Sequence, residues 1–311
     1  MKDTAPRSHD LVARARASGP APTAVVYPCS GPALSGALEA ATAGLIDPIL
    51  IGPQKRIAEI AEQEQLDLHG CTIHDVQGEH ASAHHAALLI RDRKAMLVMK
   101  GSLHTDELMG VMVSRSAGLR TGCRVSHVFV MDVVSHDRLL LITDAAVNIA
   151  PDLEAKRHIT QNAIGVAHAL GIDRPHIAVL SAVETVNPAI PSSLHAAALR
   201  DMARSGHIVG GVVDGPLAFD NMISVAAAQI KGIESPVSGV ADILVMPGLE
   251  AGNILYKSLV YISKAVAAGV VVGAKAPIIL TSRADSAHSR IASAAVACLV
   301  ARSGNPPDTS V

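Results

Sequence analysis

Short runs of Val, Ile, Leu and Ala alternate along the chain with longer stretches whose apolar residues recur every three to four positions. The short runs are TAVVYPC (23–29), PILIGP (48–53), CTIHDV (71–76), AMLVMKG (95–101), HVFVMDVV (127–134), LLLITDAAV (139–147), HIAVLSAV (176–183), IVGGVVDG (208–215), ADILVMP (241–247) and VVVGAKAPIILTS (270–282). Each is closed by Gly, Pro, Ser, Asp or a similar breaker, and each predicts a buried strand. The longer stretches predict helices: GALEAATAGLI (36–46), KRIAEIAEQEQL (55–66), HASAHHAALLIRDR (80–93), LEAKRHITQNAIGVAHALG (153–171), SSLHAAALRDMARSG (192–206), NILYKSLVYISKAVAAG (253–269) and SAHSRIASAAVACLVAR (286–302). In the last, Ile291, Ala294, Ala295, Cys298 and Leu299 share one face, which predicts the core-facing stripe of a surface helix. The alternation predicts an α/β chain of parallel sheets covered by helices. Ten strands exceed a comfortable single doubly wound sheet, so two α/β domains are expected, with the boundary at the weakest periodicity, VVSHDR (133–138).

Composition narrows the picture. Of the 311 residues 49% are hydrophobic but only 2% are aromatic, so the core is built from aliphatic side chains and platforms for stacking bases are scarce. A net charge of −2 supplies no basic field, which removes nucleic acid as an expected partner. Cys29, Cys71, Cys123 and Cys298 have no metal-ligand or disulfide-frame spacing and read as reduced thiols. The longest apolar stretch, residues 265–280, is short and interrupted by Lys275, and MKDTAPRSHD has no targeting character. A cytoplasmic protein with no membrane partner is the expectation.

Chemistry-bearing residues gather where strands end, which is where open α/β sheets hold their ligands. After the last strand a helix starting near Asp285 or Ser286 places Ser286, Ser289, Arg290 and Ser293 on one face, with Ser282 and Arg283 just before it. A helix N-terminus with hydroxyls and a guanidinium suits phosphate; a capped, solvated helix is the alternative. MKGSLHTDEL (99–108) ends a strand in Gly101 and Ser102, and His104 and Thr105 open a helix that Thr105 or Asp106 could cap. Asp144 and Asn148 follow one strand; Asp214, Asp220 and Asn221 follow another. The three aspartates suit Mg²⁺, and turn formation or capping explains them equally. Asn253 and Lys257 lie four residues apart near the start of a helix. GxGxxG, Walker, GxSxG and HExxH signatures are all missing.

These segments together carry a family likeness. MKGSLHTDELM, GLRTGCRVSHVFVMDV, ITDAAVNIAPDLEAKRHITQNAI, LSAVETVNP, VDGPLAFDNMIS, PGLEAGNILYKSL and APIILTSRADSAHSRIAS resemble, in order and spacing, the phosphate acetyltransferase and phosphate butyryltransferase family. The match is nearest to the transferase half of bifunctional enoyl-CoA hydratase/phosphate acetyltransferases. The resemblance implies two α/β domains with a cleft between them, similar to isocitrate and isopropylmalate dehydrogenases, with residues 1–137 plus 277–311 in the first and 138–276 in the second. It implies the reversible reaction acyl-CoA + phosphate = acyl phosphate + CoA, with CoA as substrate, no metal or redox cofactor, and a homodimer or larger assembly. Ser289 and Arg290 match the family's CoA and phosphate site, and Asn253 and Lys257 match a shared motif at the cleft. Direct transfer in a ternary complex is expected, because no cysteine falls in a candidate segment.

Two departures accompany the likeness. Where many members carry Leu-Leu-Arg, this chain reads Leu108-Met109-Gly110, leaving Arg115, Arg120 or Arg124 as substitutes; and no acid follows Ser289-Arg290 within IASAAVACLVA. Two other readings stay open: a non-catalytic acyl-CoA-binding or regulatory homologue, and a metal-dependent β-decarboxylating dehydrogenase using Asp144, Asp214 and Asp220.

Overall fold

A computed structural model describes residues 8–280 and 286–304. In chain order the elements are α1 (Ser8–Ala17), β1 (Ala21–Val26), α2 (Gly31–Thr42), β2 (Ile46–Gly52), α3 (Gln54–Gln63), β3 (Thr72–Asp75), α4 (Glu79–Arg91), β4 (Leu97–Lys100) and α5 (Thr105–Met112). Then come β5 (Ser126–Asp132), β6 (Leu140–Thr143), α6 (Leu153–Ala169), β7 (His176–Leu180), α7 (Pro191–Arg204), β8 (Val212–Leu217), α8 (Phe219–Ile223), α9 (Val225–Ile230), β9 (Ile243–Val245) and α10 (Leu249–Tyr261). The chain closes with β10 (Val266–Val272), β11 (Ile278–Ile279) and α11 (Ala287–Arg302).

Internal contacts divide the chain into two units, Met1–Cys123 with Ala268–Val311, and Arg124–Ala267. The first unit runs β3-β2-β1-β4-β11-β10, parallel throughout except where β10 meets β11. Its largest buried side chains include Leu34, Leu50, Ile51, Leu97 and Met99. The second unit runs β5-β6-β9-β7-β8, parallel except for β5 against β6. Its core joins Met131, Leu140, Ile142, Leu217, Met222 and Leu244. Both cores are aliphatic, as the shortage of aromatic residues requires.

The division falls between 123 and 124 and between 267 and 268, where the sequence pattern placed the first boundary at 137/138 and the family resemblance implied the second at 276/277. The weak periodicity of VVSHDR belongs to the turn of an antiparallel hairpin, since Met131 pairs with Leu140 across it. A hairpin turn and a domain linker leave the same polar gap in a hydrophobic pattern. The second difference has a related cause. The helix expected over 253–269 ends at Tyr261, Lys264 takes φ 54°, and the Ala/Val run that follows enters β10. The single strand expected over 270–282 is two, turned at Gly273 with φ 95°.

Helix α11 differs from its expected surface stripe. Every residue from Ala292 to Val300 is buried, so past its first turn the helix is enclosed on all sides. Ser293, expected on a polar face, is 2% exposed; it donates to Ser289 O at 2.7 Å and accepts from Gly269 N–H at 3.0 Å. An acid one or two turns beyond Arg290 would therefore be an unpaired charge in the core, which accounts physically for the alanines there.

Candidate active site

In the first unit the ends of β1 and β4 are stitched into one floor. Gly101 N–H donates to Val26 O at 2.9 Å and Ser102 N–H to Tyr27 O at 2.9 Å. The Ser102 hydroxyl also donates to Tyr27 O at 2.8 Å and accepts from Cys29 N–H at 3.0 Å. A Cβ at position 101 would collide with the Val26 and Tyr27 carbonyls, so only glycine permits this approach. Tyr27 takes φ 53°, a left-handed conformation that a non-glycine residue adopts at a cost and that the Ser102 bonds hold in place. Ser102 thus fastens two strand-end loops together. Lys100 Nζ reaches the carbonyls of Gly101 and Leu103 at 3.2 and 3.0 Å, closing the loop from below.

His104 is the N-cap residue of α5, with Thr105 in the first turn, which corrects the expectation that Thr105 or Asp106 caps it. His104 and Thr105 are exposed, and Gly110 faces open space, with nothing within 4 Å of a Cβ built there. Helix α11 comes after β11, the strand that pairs with β4. Ser286 is its N-cap, accepting from Ser289 N–H at 3.1 Å, and its hydroxyl also donates to Ser289 Oγ at 3.2 Å. The Arg290 arm crosses α2 at Gly36, where a Cβ would come within 3.1 Å of Arg290 Cδ and 4.0 Å of Met99 Cε. That crossing carries Arg290 Nη2 to both Glu39 carboxylate oxygens, at 2.9 and 3.1 Å. Glu39 had no sequence signal, since its partner lies 251 residues away. Ser282 and Arg283 lie outside the described residues.

In the second unit Asp144, 3% exposed, is the centre of a loop that wraps around a carboxylate. Its Oδ1 accepts from Ala146 and Val147 N–H, both at 2.9 Å. Its Oδ2 accepts from His127 N–H at 3.3 Å, Asn148 N–H at 3.2 Å and Asn148 Nδ2 at 2.6 Å. Asn148 Nδ2 also donates to Val125 O at 2.9 Å, and Asn148 Oδ1 accepts from Arg124 Nε at 2.6 Å. Helix α10 lies against the same loop because Gly252 would otherwise press a Cβ onto Asp144 O and Ala145, and Asn253 Nδ2 donates to Ala145 O at 3.3 Å. Lys257, one turn on, is exposed. The buried His127 ring packs on Phe129 at 4.2 Å, and Phe129 stacks on Tyr256 of α10 at 3.8 Å. Burial pushes the His127 imidazole down to about 4 against the pull of Asp144, so the ring is neutral at physiological pH.

The remaining expected residues stand apart from that loop in their partners. Asp214 accepts from Ser235 Oγ at 2.5 Å. Asp220 pairs with Lys231 at 2.9 Å, and Lys231 with Glu184 at 2.7 Å; these bonds hold both carboxyls below their usual range. Asn221 Nδ2 donates to Glu184 at 2.5 Å. The three aspartates weighed as a Mg²⁺ set therefore each serve a different local network. Among the described residues no three His, Cys, Asp or Glu side chains converge as ligands, and no helix is long and apolar enough to cross a membrane. Lys156 of α6 is a residue the sequence pattern did not single out. It is 3% exposed, its Nζ meets no acceptor among the described residues, and burial pushes its ammonium down to about 8.

Comparison with known proteins follows the same segments. The family described as Phosphate acetyl/butaryl transferase matches residues 79–298. The chain is 56% identical over 297 residues to a phosphate acetyltransferase of Rhizobium meliloti, covering 95% of this chain and 94% of that one. It is 41% identical over 292 residues to a phosphate butyryltransferase of Clostridium beijerinckii, covering 94% and 97%. The crystal structure of a branched-chain phosphotransacylase from Enterococcus faecalis V583 superposes with a TM-score of 0.79 at 30% identity, over 90% of this chain and 99% of that one.

Proposed function

The chain belongs to the phosphate acetyl- and butyryltransferase family and is a phosphate acyltransferase, and from that premise we propose that Ser289 and Arg290 at the start of α11 carry its chemistry. The reaction moves a short acyl group between CoA and inorganic phosphate. In the acyl-phosphate-forming direction phosphate attacks the thioester carbonyl, a tetrahedral oxyanion forms, and CoA leaves as thiolate. Such a step asks for cations and hydrogen-bond donors held in place beforehand. The observation that carries the proposal is the mounting of Arg290: its arm is fixed across Gly36 at the end of β4, and Glu39 holds its outer nitrogen. A planar guanidinium suits phosphate, and Ser289, one residue before it on the first turn, adds a hydroxyl donor.

Gly101, Ser102, His104 and Thr105 supply the neighbouring strand-end backbone in this reading. In the second unit Asn253 and Lys257 of α10, with Asp214, are assigned to substrate binding, whereas Asp144 and Asn148, expected there too, spend their polar atoms on the loop itself and shape it without touching substrate. CoA is a substrate here, no metal or redox cofactor enters the proposal, and the protein is read as cytoplasmic and as a homodimer or larger. Transfer is direct, in a ternary complex. Burial supports that step, since it pushes the Cys29 and Cys298 thiols up to about 11 and raises Cys71 as well, away from the thiolate an acyl-enzyme needs.

The test is phosphate-dependent release of CoA from acetyl-, propionyl- and butyryl-CoA. Arg290→Ala is expected to lower kcat/KM by about 10²–10³ while the protein stays folded. Near-normal turnover in that variant would overturn the assignment, and a burst of acylated protein on mixing with acyl-CoA alone would overturn direct transfer.

A further inference from the structure

Three arginines, Arg115, Arg120 and Arg124, follow in the sequence the position where Gly110 replaces an arginine of the family pattern. The structure treats them differently. The side chains of Arg115 and Arg120 are exposed and have no hydrogen-bond or ion-pair partner among the described residues. Arg124 is exposed as well, but it is held at both ends of the residue. Its carbonyl accepts from Asn162 Nδ2 at 2.8 Å, and that same Nδ2 donates to Ser126 Oγ at 2.8 Å. Its Nε donates to Asn148 Oδ1 at 2.6 Å. Asn148 is fixed in turn by Asp144 Oδ2 at 2.6 Å and Val125 O at 2.9 Å, and Asp144 by four backbone N–H groups.

This arrangement is unusual in what it leaves undone. A chain of bonds from a buried carboxylate ends on a guanidinium, yet no carboxylate among the described residues pairs with it. Glu154, on the adjoining α6, is taken by Arg157 at 2.7 Å and His158 at 3.2 Å. Arg124 Nη1 and Nη2 have no protein partner among the described residues, because only Nε is engaged. Fixing a long, exposed side chain costs rotamer entropy. An amide acceptor orients the fork without cancelling its charge, and the fork edge, Nη1 with Nη2, is the edge that grips phosphate bidentately.

We infer that Arg124 binds a phosphoryl group of a substrate, with Asn148 as its positioning residue. The inference rests on the phosphate acyltransferase reading and adds to it a second anion-binding arginine, independent of Arg290. Two groups share this chemistry: inorganic phosphate and the phosphoryl groups of CoA. Kinetics of the full-length enzyme separate them.

Arg124→Gln is expected to raise KM by roughly 10- to 100-fold for one of the two substrates, since hydrogen bonds to charged groups contribute about 1.5–3 kcal/mol, while kcat stays within about 3-fold. A rise for phosphate alone makes inorganic phosphate the ligand. A rise for acyl-CoA alone makes it a CoA phosphoryl group, and the 3′-phosphate specifically if the difference vanishes with acyl-dephospho-CoA. Asn148→Ala should raise the KM of the same substrate, and the double variant should be no worse than Arg124→Gln, because both changes remove one interaction. A positioning role predicts that selectivity; a merely structural one would lower folded protein and leave both KM values alone. If Arg124→Gln does not fold, Arg124→Lys carries the test, since it keeps the charge and removes the fork. Unchanged KM for both substrates in a folded variant, or a fall in kcat with both KM values unchanged, overturns the inference. Absence of phosphate-dependent CoA release by the wild-type protein would instead sink the functional reading itself.

Discussion

Arg290 in the first unit and Arg124 in the second are both fixed at their unit's strand ends, and they are fixed by opposite means. Arg290 is held by a counter-ion, the half-exposed Glu39, and much of its field is cancelled by the group that positions it. Arg124 is held by a neutral amide, and the negative charge that organises the mount, Asp144, sits one bond further back. The first mount is simple, because an ion pair that stays partly open to solvent on its carboxylate side contributes only about 0–1 kcal/mol. The second requires a buried carboxylate that takes five donated bonds from its own loop and from β5. The contrast separates two ways of presenting an arginine: one tuned by competition with a carboxylate, the other kept charged by a scaffold that is part of the fold.

The largest test of that contrast is stability. Asp144→Ala leaves five donated bonds without an acceptor: those from the N–H groups of Ala146, Val147, His127 and Asn148, and from Asn148 Nδ2. Each buried, unsatisfied polar group costs about 1–3 kcal/mol, and with partial relaxation the loss is expected to reach about 3–5 kcal/mol in urea denaturation. Glu39→Gln, which removes the other mount's charge, is expected to cost under about 1 kcal/mol. Equal losses would show that the two mounts are energetically alike and would break the comparison.

Lys156 is the third cation in the argument, and it has neither kind of mount. The residue is buried and its Nζ has no acceptor among the described residues, and that burial holds its ammonium down to about 8 from an ordinary 10.5. Between about 8 and 10.5 the unfolded chain keeps a proton that the folded protein has released, so stability contributed at this site rises with pH across that window. Below about 8 both states carry the charge and the folded state bears the full burial penalty. Lys156→Met should therefore raise stability at pH 7 by about 1–3 kcal/mol, with the advantage shrinking towards pH 10. Denaturation of both proteins at several pH values measures it. A variant less stable than the wild type at pH 7 would mean that the ammonium is solvated or paired after all.

Much of this was visible in the sequence, for physical reasons that can be named. Buried strands such as residues 97–100 and 126–132 announce themselves because both their faces are covered and their middles fill with Leu97, Val98 and Met99 or Val128, Phe129, Val130 and Met131. Strand ends were visible too: Gly101, Asp144, Asn148 and Asn253 stand where the apolar pattern stops, and the structure gathers the last three around one loop. The hairpin turn at 133–138 and the helix-to-strand passage at 261–266 were illegible as such, because a polar gap has no label and Ala/Val runs suit either element. Helix α1 escaped notice since only Ser8, Leu11 and Ala15 of its ten residues are buried, too sparse a stripe to read. The mounts were out of reach for a different reason. Glu39 and Arg290 are 251 residues apart, and Arg124 and Asn148 are 24 apart across a hairpin, so no local period connects them.

The smallest effect is also the most discriminating for Arg290. Glu39 Oε1 and Oε2 occupy the same Nη2 that would reach for a phosphate oxygen, and a carboxylate beside a phosphate dianion repels it. Glu39→Gln keeps an acceptor for Nη2 and removes the charge. If Glu39 acts as a competitor, KM for phosphate should fall by about 2- to 5-fold, in line with a surface pair of under about 1 kcal/mol. The gain should be largest at low ionic strength, where exposed charges are least screened, and should fade as salt is raised. If the carboxylate's charge is instead what aims the guanidinium, the same substitution should raise KM for phosphate, by 10-fold or so, with little dependence on salt. Arg124, whose acceptor is already an amide, predicts which result is physically sufficient: an amide oxygen at 2.6 Å holds an arginine in this protein without any charge of its own.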